Sequence, residues 1–316
     1  MARAKKARVA IVRGDNPEAI TLKALELIEA QRLISASDKV LVKPNYITQS
    51  PPSTGITTDT RVVKAVVKFV KACGAEDVTV GDGGGGDTHE TFKVVGLYEA
   101  AERHKVKLVD FNDDELVNVP LPSPAVLKEV KIAKTVLDST CVINVPCLKA
   151  HELALVTLGL KNLVGIVIPR HATHRGLHEN LVALAQLVKP RLTVISGIVG
   201  HEGHQTHGNP VKMDLVIAGS DSVATDAVGA AVMDVEPRRV KAIWLAEKMG
   251  LGTAGLDAIE VLGESVESVK RHFKLGYTPS YLPSFASLMR WKVGNWDYHI
   301  LSNAGVISEK SDDLDI

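Results

Sequence analysis

Cysteine is scarce in this sequence. There are three in 316 residues (Cys73, Cys141 and Cys147), with no CxxC pair and no ferredoxin-type ladder. A disulfide framework and a cluster held by this chain's own thiols are therefore not expected. Cys141 and Cys147 are expected to share a face of one buried strand as small apolar residues. Long apolar runs are also missing. No stretch reaches the roughly eighteen residues that a membrane-crossing helix needs. The basic start, MARAKKARVAIVRGD, is followed by an apolar piece only a strand long, too short for a secretory signal. The expectation is a cytoplasmic protein with no membrane partner. Charge favours neither sign, with 37 basic and 37 acidic residues. That balance leaves no global footprint for nucleic acid. Aromatics make up only 4% of the chain.

What the chain does have is a large apolar fraction, 45%, arranged in short buried-strand patterns that alternate with helical ones. RVAIV, KVLVKPN, DVTVGD, KLVDF, CVINVP, LTVISGI, DLVIAG and AIEVLG read as strands. The segment TTDTRVVKAVVKFVKACG reads as a helix, with Thr57, Thr58 and Asp59 as caps and Gly74 just past its end. Further helices are expected near 17–31, 178–189, 221–233 and 238–249. Strands alternating with helices imply an α/β fold, a mostly parallel sheet with helices on both faces. VNVPLP and LKEVKIA read as a short β insertion. Residues 1–276 form the α/β domain in this reading, in one or two lobes, and 277–316 a C-terminal aromatic extension. Phe285, Leu288, Met289, Trp291 and Trp296 there would clamp onto the main body or cover a partner's surface, the latter giving a homo-oligomer.

In open α/β sheets ligands bind beyond the carboxyl ends of the strands, so the residues that follow each strand matter most. These are Lys43 and Asn45, the loop GDGGGGDTHE, then Lys149 and His151, then VGHEGHQTHGNP. In the glycine loop, Gly83, Gly84 and Gly85 would let backbone N–H groups approach an anion or cofactor. No Gly-Lys-Ser/Thr follows, so it is not a P-loop. A turn without a ligand is the plain alternative. His201, His204 and His207 lie three apart, but glycines and a proline make that stretch a loop, and HExH misses the zinc-protease spacing. His171, His174 and His178 precede a helix, where basic residues would suit a carboxylate or phosphate. Asp82, Asp87, Asp221 and Asp226 suit a cation or a turn cap equally.

The segment INVPCLKAHELALVTLGLKNLVG places Lys149, His151, Lys161 and Asn162 among apolar neighbours. A lone lysine there usually snorkels along apolar surface. A buried one needs a partner or must lose its charge. It can then be a Schiff-base former, a cofactor tether or an anion clamp.

VLVKPN, the Thr-Thr-Asp helix start, VGDGGG, the 143–165 segment, IAGSDSVATDAVGAAVM and IEVLGE together resemble the domain of unknown function 362 family over roughly residues 35–270. That resemblance implies an α/β fold without a settled reaction. Some members add a ferredoxin-like segment, whose cysteines are missing here. Ser196 stands where the family usually has aspartate.

The run from His151 to Gly165 is also similar in spacing to the nickel-pincer lactate racemase family. That resemblance implies a lysine-tethered nickel cofactor on Lys161, catalytic roles for His89, His151 and His178, and His178 as the metal ligand. The family's N-terminal arginine motif is replaced here by KPN. Lys43, Lys149 and Arg175, with Asn45 and Asn162, would bind a small anionic, carboxylate-type substrate. The cofactor is left unknown, with a divalent metal or the tethered nickel group as the candidates. The leading reading is an enzyme, racemase-like or redox. The alternatives are a redox protein whose iron–sulfur cluster comes from a partner, and a non-catalytic binding module.

Overall fold

The computed structural model describes residues 6–276. The aromatic segment read as an extension or dimer surface, with Phe285, Trp291 and Trp296, lies outside the described residues. The chain begins with β1 (Ala7–Arg13), α1 (Pro17–Leu27), β2 (Val40–Pro44), α2 (Thr60–Ala72) and β3 (Val78–Asp82). Next come α3 (Thr88–Val94), α4 (Leu97–His104), β4 (Lys107–Asp110), β5 (Leu116–Pro120), β6 (Glu129–Ala133) and α5 (Lys134–Asp138). The middle of the chain holds β7 (Cys141–Val145), β8 (Cys147–His151), β9 (Leu155–Thr157), α6 (Gly159–Asn162) and α7 (Leu177–Val188). The rest is β10 (Leu192–Glu202), β11 (Asn209–Gly219), α8 (Ser222–Val232), α9 (Lys241–Lys248), β12 (Ile259–Gly263) and α10 (Val266–Val269).

The sheet runs in the order β12-β1-β11-β10-β7-β2-β3-β4, with β8 paired to β10 and β9 paired to β8. Most neighbours are parallel. The antiparallel pairs are β1–β11, β10–β11 and β8–β9. The insertion β5–β6 is a separate antiparallel ribbon, as its sequence pattern implies. Side chains of a strand alternate between faces, and here both faces are covered. Val9, Ile11, Leu41, Leu215 and Ile217 join the layer of α7, α8 and α9. Ala10, Val40, Val42 and Val216 join that of α1 and α2. That double burial is why these strands read as nearly continuous apolar runs.

Helix α2 shows how local sequence sets its element. Asp59 caps it by accepting from the Arg61 N–H, and Val62, Val63, Val66, Val67 and Val70 form its buried stripe. Gly74, with φ of +95°, turns the chain out.

Two expectations need correcting. Cys141 and Cys147 do not share a strand, because Pro146 divides β7 from β8. The segment around His201 is not a loop throughout. Strand β10 continues to Glu202 through a bulge between Gly197 and Val199, and His201 is 1% exposed. The glycines that suggested a loop mark tight packing instead. A side chain at Gly200 would press on the Phe273 ring and the Leu148 carbonyl.

Candidate functional site

Parallel strands β7, β2 and β3 end side by side, and this places Asn144, Lys43 and Asp82 together. Lys43 is opposite Asn144 in the β2–β7 register. The Lys43 amine donates to Asp82 Oδ1 at 2.7 Å, and both side chains are essentially inaccessible. Burial pushes the Lys43 pKa down and the Asp82 charge opposes that push. The second Asp82 oxygen accepts from the Tyr46 N–H at 2.6 Å. Gly165 lies directly behind this pair, where a Cβ would fall 2.5 Å from Asp82 Oδ1 and 2.8 Å from Lys43 Nζ.

Next to the ion pair runs a chain of buried amides. Lys149, on β8, donates to Asn45 Oδ1 at 3.0 Å and to the Ile56 carbonyl at 2.9 Å. Asn45 donates to Asn162, Asn162 to Asn144, and Asn144 to the Gly159 carbonyl. Such a network fixes its members, because any break strands a buried polar group. Asn45 and Asn162 are thus joined to each other. Lys149 has amide and carbonyl acceptors and no carboxylate, and burial lowers its pKa.

The short helix α6 carries Lys161. Asp226, on α8, accepts from the Gly159 and Leu160 N–H groups at 2.7 and 2.8 Å. Gly159 is required there, since a Cβ would fall 2.8 Å from Asp226 Oδ1. Burial raises the Asp226 pKa to about 7 against the opposing pull of those two bonds. Asp226→Ala would strand two buried N–H groups and is expected to cost about 2–4 kcal/mol in urea denaturation. Asp226→Asn, which keeps an acceptor, should lose less than half as much.

Lys161 is half-buried and borders a narrow cavity with Lys43, Asn45, Asp82, Lys149, Thr157 and Arg170 among its lining. Its amine has no hydrogen-bond or ion-pair partner among the described residues. Desolvation first, then the Lys149 charge, bring its pKa down to about 7. The cavity has about 30 Å³ for the centres of water-sized occupants. That is room for a few waters or a small oxyanion. Thr157 Oγ1 and Arg170 Nη1 are buried there without a hydrogen-bond partner.

His151, 2% exposed, sits at the end of β8. Its Nδ1 accepts from the Leu153 N–H at 3.0 Å, which puts the proton of the neutral ring on Nε2. Desolvation, with Lys161 next, holds its pKa well below the usual imidazole range. Glu152 follows, with Oε2 lacking a hydrogen bond and lying 3.7 Å from His151 Nδ1. Burial, then the Lys161 charge, also lower His174.

Several residues expected at the site stand elsewhere. His89 is on exposed α3, bonded to the Tyr98 hydroxyl at 2.7 Å and to Asp113 at 3.1 Å, and does not line the cavity. With Asp110 and Asp113 it brings ligand atoms within 4.8 Å of one another. Arg175 is exposed and does not line the cavity, whereas Arg170 does. His178 is outside the lining. Its Nδ1 is buried without a partner, and burial takes its pKa to about 4. Gly83, Gly84 and Gly85 do not offer free donors. Their N–H groups already bond Asp82, Thr88 and the Ile47 carbonyl.

His89 and His178, which the nickel-pincer resemblance implied beside Lys161, do not line this cavity, so that ligand set is not gathered here.

The undecided carboxylates resolve differently. Asp87 and Asp221 cap helices, while Asp82 and Asp226 brace the site. Asn144, Thr157 and Arg170 escaped the sequence reading. Asn144 had a legible signal, a polar residue inside a buried apolar strand.

No helix among the described residues is long and apolar enough to cross a membrane. The chain is 26% identical over 254 residues to the thylakoid-associated protein sll1697 of Synechocystis sp. (strain ATCC 27184 / PCC 6803 / Kazusa), an alignment covering 77% of each protein. Among solved structures it is similar to the lactate racemase apoprotein from Thermoanaerobacterium thermosaccharolyticum, at 14% identity and a TM-score of 0.37. That match covers 69% of this chain and about half, 54%, of the racemase. Residues 40–231 match the model of the domain of unknown function DUF362. The matched stretch holds the ion pair, the amide chain, Lys161 and Asp226, and because it spans more than half of the sequence, the chain belongs to the DUF362 family.

Proposed function

We propose that the protein is an enzyme acting on a small carboxylate-bearing substrate held in the cavity beside Lys161. One observation carries this reading, a surplus of positive charge and idle donors. Lys43, Lys149, Lys161 and Arg170 border the space, and its one lining carboxylate, Asp82, is already taken by Lys43 and two backbone N–H groups. Glu152, whose charge reaches Lys149 and Lys161, offsets only part of this positive charge, and cations held away from water are costly. An incoming carboxylate would offset that cost and fill the empty valences of Arg170 and Thr157. The neutral imidazole of His151, whose pKa the Lys161 charge helps to lower, carries its proton on Nε2 and can donate it near the same lysine. The position, beyond the carboxyl ends of β2, β3 and β7, is where open α/β sheets bind ligands.

Carboxylate titration checks this directly. Acetate, lactate and oxalate at constant ionic strength should raise the unfolding free energy in proportion to the logarithm of their concentration above Kd. The gain would be about 2.7 kcal/mol at a hundredfold excess over Kd. Lys161→Met and Arg170→Gln should each blunt the effect. If chloride at equal ionic strength stabilises as much as the carboxylates, the reading fails.

A further inference from the structure

We propose that Lys161 is the nucleophile of this site and forms an imine with a small 2-oxo acid. The inference rests on the carboxylate-binding reading above and adds the carbonyl and the covalent step. Three features of the cavity distinguish a nucleophile from an anion clamp. The first is the isolation of the amine. Lys43 is committed to Asp82 and Lys149 to Asn45 and Ile56, while Lys161 has no acceptor among the described residues. The second is the division of labour around it. Arg170, which stays charged, keeps Nη1 buried and unpartnered in the cavity wall, a donor available to a carboxylate oxygen. Thr157 Oγ1, 3% exposed as a residue and equally unpartnered, offers a hydroxyl to the oxygen of a neighbouring carbonyl. The third is size. A space of about 30 Å³ for the centres of water-sized occupants suits a two- or three-carbon acid. Burial and the cations of Lys149, Arg170 and Lys43 disfavour the ammonium form against the opposing charge of Glu152, so a good share of the amine is free near neutral pH.

The step balances without an outside reagent. The Lys161 nitrogen lone pair attacks C2 of the 2-oxo acid, and the carbonyl π electrons move to its oxygen. The nitrogen gives up a proton and the oxygen takes one, leaving a neutral carbinolamine. Glu152, whose Oε2 lacks a hydrogen bond, and His151, whose neutral ring carries its proton on Nε2, are the nearby proton carriers. The nitrogen loses its second proton as the C–O bond breaks and the oxygen leaves as water. Amine plus ketone thus becomes imine plus water, with no net oxidation. A carboxylate held by Arg170 keeps C2 facing the amine while this occurs.

The test uses the purified full chain with pyruvate or glyoxylate and cyanoborohydride, which reduces an imine to a stable secondary amine. Intact mass followed by peptide mapping should show one reduced adduct, on Lys161. Oxalate should suppress it. Arg170→Gln should raise the pyruvate concentration for half-labelling about tenfold, equivalent to about 1.4 kcal/mol of lost binding. Labelling spread over surface lysines, or surviving in Lys161→Met at the wild-type level, overturns the proposal. Should Lys161→Met fail to fold, oxalate protection of the wild-type adduct decides the same point. Stabilisation by lactate and pyruvate alike without any adduct removes the imine and leaves the carboxylate site. No stabilisation by either and no adduct removes both.

Discussion

Asp82→Asn is expected to destabilise the protein by about 3–5 kcal/mol. The amide can still accept from the Tyr46 N–H, but it cannot neutralise Lys43, whose side chain is 1% exposed. A charge abandoned in the interior costs far more than the net worth of the pair that held it. Against a total stability of about 5–15 kcal/mol, that loss is large. Adding Lys43→Met to Asp82→Asn removes the orphaned charge and should recover at least half of the deficit. Urea denaturation of the two single variants and the double variant measures the coupling. A single Asp82→Asn variant within about 1 kcal/mol of wild type would show that the pair is not closed from water.

Lys161→Met should do the opposite. The pKa of Lys161 falls from 10.5 to about 7 on folding. Below about pH 7 the native state carries a buried ammonium and bears the full cost. Between about pH 7 and 10.5 the unfolded chain holds a proton that the native chain has shed, so stability rises with pH. Methionine removes the Lys161 share of that dependence, while Lys43 and Lys149, also lowered by burial, keep theirs. The variant should be more stable than wild type by about 2–3 kcal/mol at pH 7, allowing for the solvent that the half-buried side chain still meets. The advantage should fade to nothing near pH 10.5. The difference in slope between the two proteins reports the lysine. The gain should come with loss of the proposed carboxylate-dependent stabilisation, the usual trade between a stable site and a working one. Parallel stability–pH curves for the two proteins would mean that the amine titrates as it does in water.

Asp82→Asn and Lys161→Met probe different halves of one arrangement. Lys43 with Asp82 is a closed pair that shapes the cavity wall. Lys161 is left open to whatever enters. The distinction depends on partners distant in the chain, and neither lysine's neighbours in sequence announce it.

The pattern of short apolar strands and capped helices was enough to place the sheet, the β5–β6 ribbon and helix α2. Each depends on local periodicity and on caps such as Asp59. The mostly parallel arrangement followed from alternation alone. Lys43, Asn45, Lys149, His151, Lys161 and Asn162 were legible because polar side chains stood out against apolar surroundings at strand ends. His89 was misassigned because a histidine after a glycine loop looks the same whether its helix faces the cavity or, as here, Tyr98 and Asp113. Arg175 and Arg170 lie five residues apart, and only the path of the chain after Ile168 decided which one reaches the cavity.

Sequence by itself determined the layers of this protein and the kinds of groups available at the carboxyl edge, since both follow from the spacing of apolar and polar residues along one segment. Tertiary structure alone decided which of those groups are spent and which are free. Asp82 neutralises Lys43 across 39 residues of chain, and Asp226 holds the turn before Lys161 across 67. The reason is electrostatic. A buried charge is set by what lies within a few ångströms of it, and that shell is assembled from strands whose order in space differs from their order in the chain.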